Sequence, residues 1–201
     1  MQNNCGMCYN NKVYNEKVYL CENEAAFTAD RRGSSREECT VEKIRILGID
    51  PGYAIVGFGV LDYDGIHFTP IEYGAVLTEA NTPFPERLHA IHTDVEFIFD
   101  KYKPDCMAIE RLYFTTNQKT AIDVAQARGV TVLSAAKRGV PVSEYTPLQV
   151  KQSVVGYGKA EKRQVMEMTQ RLLGLAQIPK PDDAADALAI AICHGHSTRW
   201  K

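Results

Sequence analysis

Five carboxylates stand where the patterning of the chain changes. Asp50 closes the apolar run IRILGID, Glu110 closes DCMAIE, and Asp182, Asp183 and Asp186 open the segment DDAADALAIAICHGH. An acid ending an apolar strand is drawn toward poorly solvated ground, where an unpaired charge is costly and a second like charge is worse. A divalent cation relieves both penalties. If the strands ending at Asp50 and Glu110 are parallel neighbours, the two carboxylates project at one sheet edge. At 100° per residue, Asp183 and Asp186 lie about 60° apart on a helix and Asp182 and Asp186 about 40° apart, so periodicity leaves both pairs open. Asp182 could instead serve as a helix N-cap and Asp183 as a first-turn acid favoured by the helix dipole, while an Asp before Pro-Gly can simply shape a turn. All-oxygen donors favour magnesium or manganese. Two such ions about 4 Å apart would activate a water and stabilise the leaving oxygen of a phosphodiester, which makes the reaction class a nuclease or a phosphotransferase.

The charge map points the same way. The chain as a whole carries 23 basic and 25 acidic side chains, a formal charge of −2 that exerts no global pull on nucleic acid. Residues 44–136 hold 7 basic and 12 acidic groups, net −5, whereas residues 137–171 hold 7 basic and 3 acidic, net +4. Lys137, Arg138, Lys151, Lys159, Lys162, Arg163 and Arg171 could line a phosphate-binding surface, although such a run is by default a solvated helix face. His89, His92, His194 and His196 read as satisfied or solvated histidines, and none is assigned to a metal.

The elements that must position these groups follow from hydrophobic period and turn chemistry. IRILGID and IVGFGVLDYD read as strands, with Asp64-Gly65 as a hairpin turn before a third strand, HFTPIEYGAVL. Thr82 reads as a cap and Pro83 as the first turn of a helix whose face is Phe84, Leu88, Ile91, Val95, Ile98, Phe99 and Tyr102, stopped by Pro104. DCMAIE is a short buried strand, about Asn117 to Arg138 a long helix ended by Gly139, and PVSEYT a fifth strand. PLQVKQSVV, AEKRQVMEMTQRLL and DDAADALAIAICHGH are three further helices. The fold class is α/β, a five-stranded mixed sheet flanked by helices.

The 201 residues suit about one domain, and 45% hydrophobic with 24% charged residues excludes collagen-like, disordered and coiled-coil classes. No window approaches the roughly 18 apolar residues of a membrane span, so a soluble, cytoplasmic protein without membrane contact is expected. Residues 1–43 stand apart. Cys5-x-x-Cys8 has a zinc-like spacing, but Cys21 and Cys39 lie 18 apart, which favours a disordered extension with reduced thiols over a zinc knot. Val41 is also a candidate GTG start read through as valine, which would make the preceding stretch non-native. Residues 44–201 form the domain proper.

Several of these segments, taken in order and spacing, resemble one family. ILGIDPG (46–52), AIERLYF (108–114), AQARGV (125–130), VKQSVVGYGKAEK (150–162) and DAADALAIAICH (183–194) are similar to the RuvC family of Holliday-junction endonucleases. The resemblance implies a ribonuclease H-like fold and a homodimer that nicks two opposed strands of four-way junction DNA, leaving 5'-phosphate and 3'-hydroxyl ends. It implies Asp50, Glu110, Asp183 and Asp186 as catalytic and metal-binding acids, with two Mg2+ per site and Mn2+ substituting. Lys151 and Lys162 match basic residues near the scissile phosphate, with Lys159 and Arg163 beside them on the DNA-binding surface. Tyr113 matches an aromatic that stacks on opened bases, where better-known members carry Phe, and Phe114 offers a second ring. Cooperation with a RuvA and RuvB branch-migration complex is implied as well. Two other classes compete: a silent junction-binding protein, against which the full set of acids argues, and a sugar-kinase-type phosphotransferase, for which about 155 residues after the extension are too few.

Overall fold

The computed structural model describes residues 18–20, 43–112 and 118–198. Among them a six-stranded sheet is assembled from β1 (Val18–Leu20), β2 (Ile44–Asp50), β3 (Ile55–Tyr63), β4 (Phe68–Leu77), β5 (Cys106–Glu110) and β6 (Val142–Tyr145), in the order β1-β4-β3-β2-β5-β6. The helices are α1 (Phe84–Tyr102), α2 (Gln118–Lys137), α3 (Pro147–Val155), α4 (Lys162–Leu172) and α5 (Asp182–Ser197). β2, β3 and β4 form an antiparallel meander, while β5 runs parallel to β2 and β6 parallel to β5.

The five strands and five helices expected from the sequence are present, and the parallel pairing of β2 with β5 meets the condition on which the carboxylate argument depended. β1 is an addition: it pairs antiparallel with β4, Val18 opposite Val76 and Leu20 opposite Gly74, inside the stretch read as an unstructured extension. Three residues are too few to display a strand period, so no pattern marks them. The rest of residues 1–42, with Cys5, Cys8, Cys21 and Cys39, lies outside the described residues.

Alternation along the strands divides the core in two. Ile46, Leu61 and Ala108 face a cluster built with Leu188, Ile190 and Ile192 of α5, whereas Leu47, Ile49, Phe58, Met107 and Ile109 face Ile91, Val95 and Ile98 of α1. Both sides are sealed, as a helix-covered sheet requires.

Local chemistry sets the ends. The hairpin after β3 is an Asx turn: Asp64 Oδ1 accepts from the Ile66 and His67 N–H groups at 2.9 and 2.7 Å, and Gly65 takes φ 94°. α3 opens on a capping box, the Gln149 N–H donating to Thr146 Oγ1 at 3.1 Å and the Thr146 N–H to Gln149 Oε1 at 2.9 Å. Two expected caps fall one residue away from their place. α1 begins after Pro83, whose carbonyl accepts from the Glu86 and Arg87 N–H groups, so Thr82 stays outside the helix and does not cap it. α5 begins after Pro181, whose carbonyl accepts from the Ala184 N–H, so Asp182 is the first helical residue and not the N-cap. In both cases a proline at the boundary supplies the extended backbone a cap needs.

Candidate active site

The last paired positions of β2 and β5 are Ile49 and Ile109, so Asp50 and Glu110 emerge side by side one residue further on. Period two puts them on the face of Ile46 and Ala108, toward α5. That helix lies against the sheet with little between. A methyl group added at Gly48 would collide with the Ala187 carbonyl, one at Gly57 with the Asp183 carbonyl, and one at Gly59 with the Leu188 side chain. Gly48 pairs with Gly59 and Asp50 with Gly57, so the glycines form a notch in which the first turn of α5 rests beside Asp50. Asp186 then faces Asp50 and Glu110 across a cleft of about 260 Å³ that Lys151 and Lys162 also line.

The electrostatics register the crowding. Burial pushes the Asp50 carboxyl up to about 7, helped by the charges of Glu110, Asp186 and Asp183 and opposed by Lys162. Burial also raises Glu110, with Asp186 adding and Lys162 opposing. Asp186 is raised by burial against the hydrogen bond and charge of Lys162. Desolvation acts to lower Lys162, but its hydrogen bond and ion pair with Asp186 prevail and the ammonium is held above its ordinary range. Lys162 Nζ sits 2.8 Å from Asp186 Oδ2 and 3.7 Å from Asp182 Oδ2. The ammonium thus stands among the carboxylates where a cation is needed.

Three acids from three separate elements, all oxygen donors and each disfavoured as a lone anion, suit a hard divalent ion. Among the described residues, no three Asp, Glu, His or Cys side chains are gathered closely enough to hold one ion as they stand. The set fits by donor chemistry, and the cation itself must close it.

The remaining sequence candidates fall into distinct places. Asp183 is half-buried on the first turn of α5, and its charge acts on Asp50 and Asp186, while Asp182 is exposed. Lys159 is exposed, and Arg163 pairs with Glu167 at 2.8 Å along α4, outside the cleft lining. Arg138 belongs to no phosphate surface: it bridges α2 to α1 through Glu96 and Asp100. Tyr113 and Phe114 lie outside the described residues. Of the histidines, His92 is bonded to Ser134, His194 to Tyr145 and His196 to Ser153, while His89 is exposed. Among the described residues no helix is long and apolar enough to cross a membrane. What the sequence reading missed is the glycine notch. Its signal was present, Gly48 in GIDPG and the alternating Gly57 and Gly59 of VGFGV.

A ribonuclease H-like sheet with acids at the ends of two parallel neighbours and a third on the helix above them defines a metal-dependent nuclease. The family model described as "Crossover junction endodeoxyribonuclease RuvC" matches residues 46–194. The RuvC of Ruminiclostridium cellulolyticum is 54% identical over 154 residues, spanning 77% of this chain and 93% of that protein. That of Brevibacillus brevis is 56% identical over 151 residues, spanning 75% and 91%. The solved structure "T. thermophilus RuvC in complex with Holliday junction substrate" superposes with a TM-score of 0.73 at 35% identity, covering 77% of this chain and 94% of that one. The chain belongs to the RuvC family of crossover junction endodeoxyribonucleases, which are metal-dependent nucleases.

Proposed function

We propose that this chain resolves Holliday junctions in the cytoplasm as a homodimer, with Asp50, Glu110, Asp183 and Asp186 as the catalytic and metal-holding acids of each active site. The observation that carries this reading is the convergence of Asp50, Glu110 and Asp186 on one cleft, with Asp50 lifted to about 7. A site that repels its own charges so strongly is built for a cation. We assign two magnesium ions, with manganese substituting; when bound, they supply Lewis-acid activation of water and stabilise the leaving oxygen of the phosphodiester.

The chain's own residues do the rest. Asp50 and Glu110, fixed by strand register, offer carboxylate oxygens from the sheet, and Asp183 and Asp186 offer theirs from the helix above. Lys162, bonded to Asp186 at 2.8 Å and lining the same cleft, would hold the phosphate by its charge. With Lys151 it offsets the negative charge that grows on the phosphoryl oxygens. Lys159 and Arg163, exposed on the same basic segment, follow the DNA backbone. Tyr113 and Phe114, three and four residues after Glu110 in the sequence, are assigned to stacking on opened bases, each stack worth about 1 to 3 kcal/mol. Two copies related by a dyad pair the nicks on opposed strands and leave 5'-phosphate and 3'-hydroxyl ends. A RuvA and RuvB complex is the partner assigned for branch migration.

The test is Asp50→Asn on a labelled mobile junction. Cleavage should fall by about 1,000-fold or more while the shifted band of bound junction persists, the loss expected when an interaction made at the reacting centre is removed. Undiminished cleavage would overturn the assignment. Nicks mapped to symmetric positions on opposed strands would support the dimer, and single unpaired nicks would remove it.

A further inference from the structure

The turn that follows Asp50, residues 51–54, is held from behind by a side chain outside the carboxylate cluster. Arg87, on the first turn of α1, is only 8% exposed. Its Nε donates to Thr78 Oγ1 at 2.8 Å, its Nη2 to the Tyr53 carbonyl at 3.3 Å, and its guanidinium lies 4.7 Å from the centroid of the Tyr53 ring. Thr78, immediately past β4, donates its hydroxyl to the Tyr53 carbonyl at 2.7 Å and its N–H to the Ala54 carbonyl at 3.0 Å. The Tyr53 ring meets Phe84 with centroids 6.2 Å apart. Carbonyl and ring of one turn residue are therefore gripped by α1 and by the end of β4 together.

Burying a guanidinium is costly unless its donors are satisfied, and an aliphatic side chain would fill this space without that cost. The planar fork does what an aliphatic cannot: it fixes a carbonyl, a hydroxyl and a ring face at once. Tyr53 is three residues from Asp50, and the strand it leads into pairs with Asp50 at Gly57. The grip thus lies across the connection between the strand that carries Asp50 and the strand opposite it. We propose that Arg87 is a positioning residue for Asp50, holding the carboxylate in place through the 51–54 turn. The inference rests on the reading of Asp50 as a catalytic acid. The action is mechanical, carried by the hydrogen bonds that fix the turn.

The experiment compares Arg87→Met, Arg87→Lys and Thr78→Val, with Arg138→Met as a control in the same helix pair, all below their melting temperatures. Steady-state junction cleavage is one readout, and calorimetric Mn2+ binding to the junction-free protein is the other. Arg87→Met should lower kcat by about tenfold or more, the scale set by a small misplacement of a reacting group, with KM for the junction within about twofold. Its Mn2+ affinity should fall several-fold. Arg87→Lys, which keeps the charge but not the fork, should lie between Met and the natural residue, and Thr78→Val should move both readouts in the same direction by less. Arg138→Met should move neither. Wild-type kcat and Mn2+ affinity in Arg87→Met overturn the proposal, as does an equal loss in Arg138→Met. If Arg87→Met does not fold, Thr78→Val decides, and wild-type behaviour there overturns it. Asp50→Asn separates the two claims: surviving cleavage in that variant removes the reading of Asp50 itself, whereas lost cleavage there with an unaffected Arg87→Met removes only the positioning role.

Discussion

The two faces of the sheet are built on opposite principles. Toward α1, the strands present Leu47, Ile49, Phe58, Met107 and Ile109, and the helix answers with Ile91, Val95 and Ile98, all large and fully or almost fully buried. Toward α5, β2 and β3 present Gly48, Gly57 and Gly59, and the helix answers with its own backbone and with alanines such as Ala184, Ala187 and Ala191. Bulk keeps a helix at arm's length from a sheet. Removing it lets the first turn of α5 settle against the strand ends, which is what brings Asp183 and Asp186 within electrostatic reach of Asp50. One face is packed with bulk throughout, and the other keeps its bulk in Ile46, Leu61 and Leu188 but gives it up at three glycines to gain proximity.

Substitutions that fill the notch break this division most severely. Gly48→Val must displace the Ala187 carbonyl, and backbone cannot yield as a side chain can. We expect a loss of about 3 kcal/mol or more in urea-monitored stability together with loss of cleavage, because the acids of α5 move with their helix. On the other face, Ile91→Ala should cost about 2 to 3 kcal/mol through the cavity it leaves, yet leave the cleavage rate per folded molecule within about twofold of wild type. A comparable rate loss in both variants would erase the distinction between the faces.

The pH dependence sharpens the comparison further. The carboxyl of Asp50 is raised to about 7, so the folded protein holds its proton more tightly than the unfolded chain does. The stability it contributes is complete below the ordinary carboxylate range near 4 and is lost as the pH climbs through about 7. Without metal, Asp50→Asn should therefore match wild type in stability near pH 4 and become more stable by about 3 to 4 kcal/mol above pH 7. Saturating magnesium should shrink that difference; an unchanged difference would mean the acids do not share the cation. The smallest effect belongs to the far face, where Arg138→Met breaks the link to Glu96 and Asp100. Thermal melts should register about 1 kcal/mol, since one of the two pairs is partly buried and the other exposed, with cleavage untouched.

How far the sequence could be read follows from the same contrast. Strands and helices with strong periods were legible to within a residue or two, and so was the meeting of Asp50 with Glu110 once β2 and β5 were taken as parallel. The choice among Asp182, Asp183 and Asp186 was not, because it depends on how α5 is rotated over the notch, and a helix's setting is a property of its packing and not of its own period. The caps at Thr82 and Asp182 misled because each adjoins a proline that takes the boundary position itself. The basic run was legible only as a run: Arg138 is occupied by Glu96 and Asp100, Arg163 is exposed outside the cleft, and Lys151 and Lys162 line it, and only tertiary placement distinguishes them.

The parallel ladder between β2 and β5 has one more consequence. Because successive residues of a strand point to opposite sides, a slip of a single position in that pairing would send Glu110 to the α1 face and leave Asp50 without its neighbour, although nearly every apolar side chain of both strands would still be covered. A misthreaded molecule of this kind would survive as a folded but inert protein, so faithful alignment of two short strands is as much a condition of activity as any acid in the cleft.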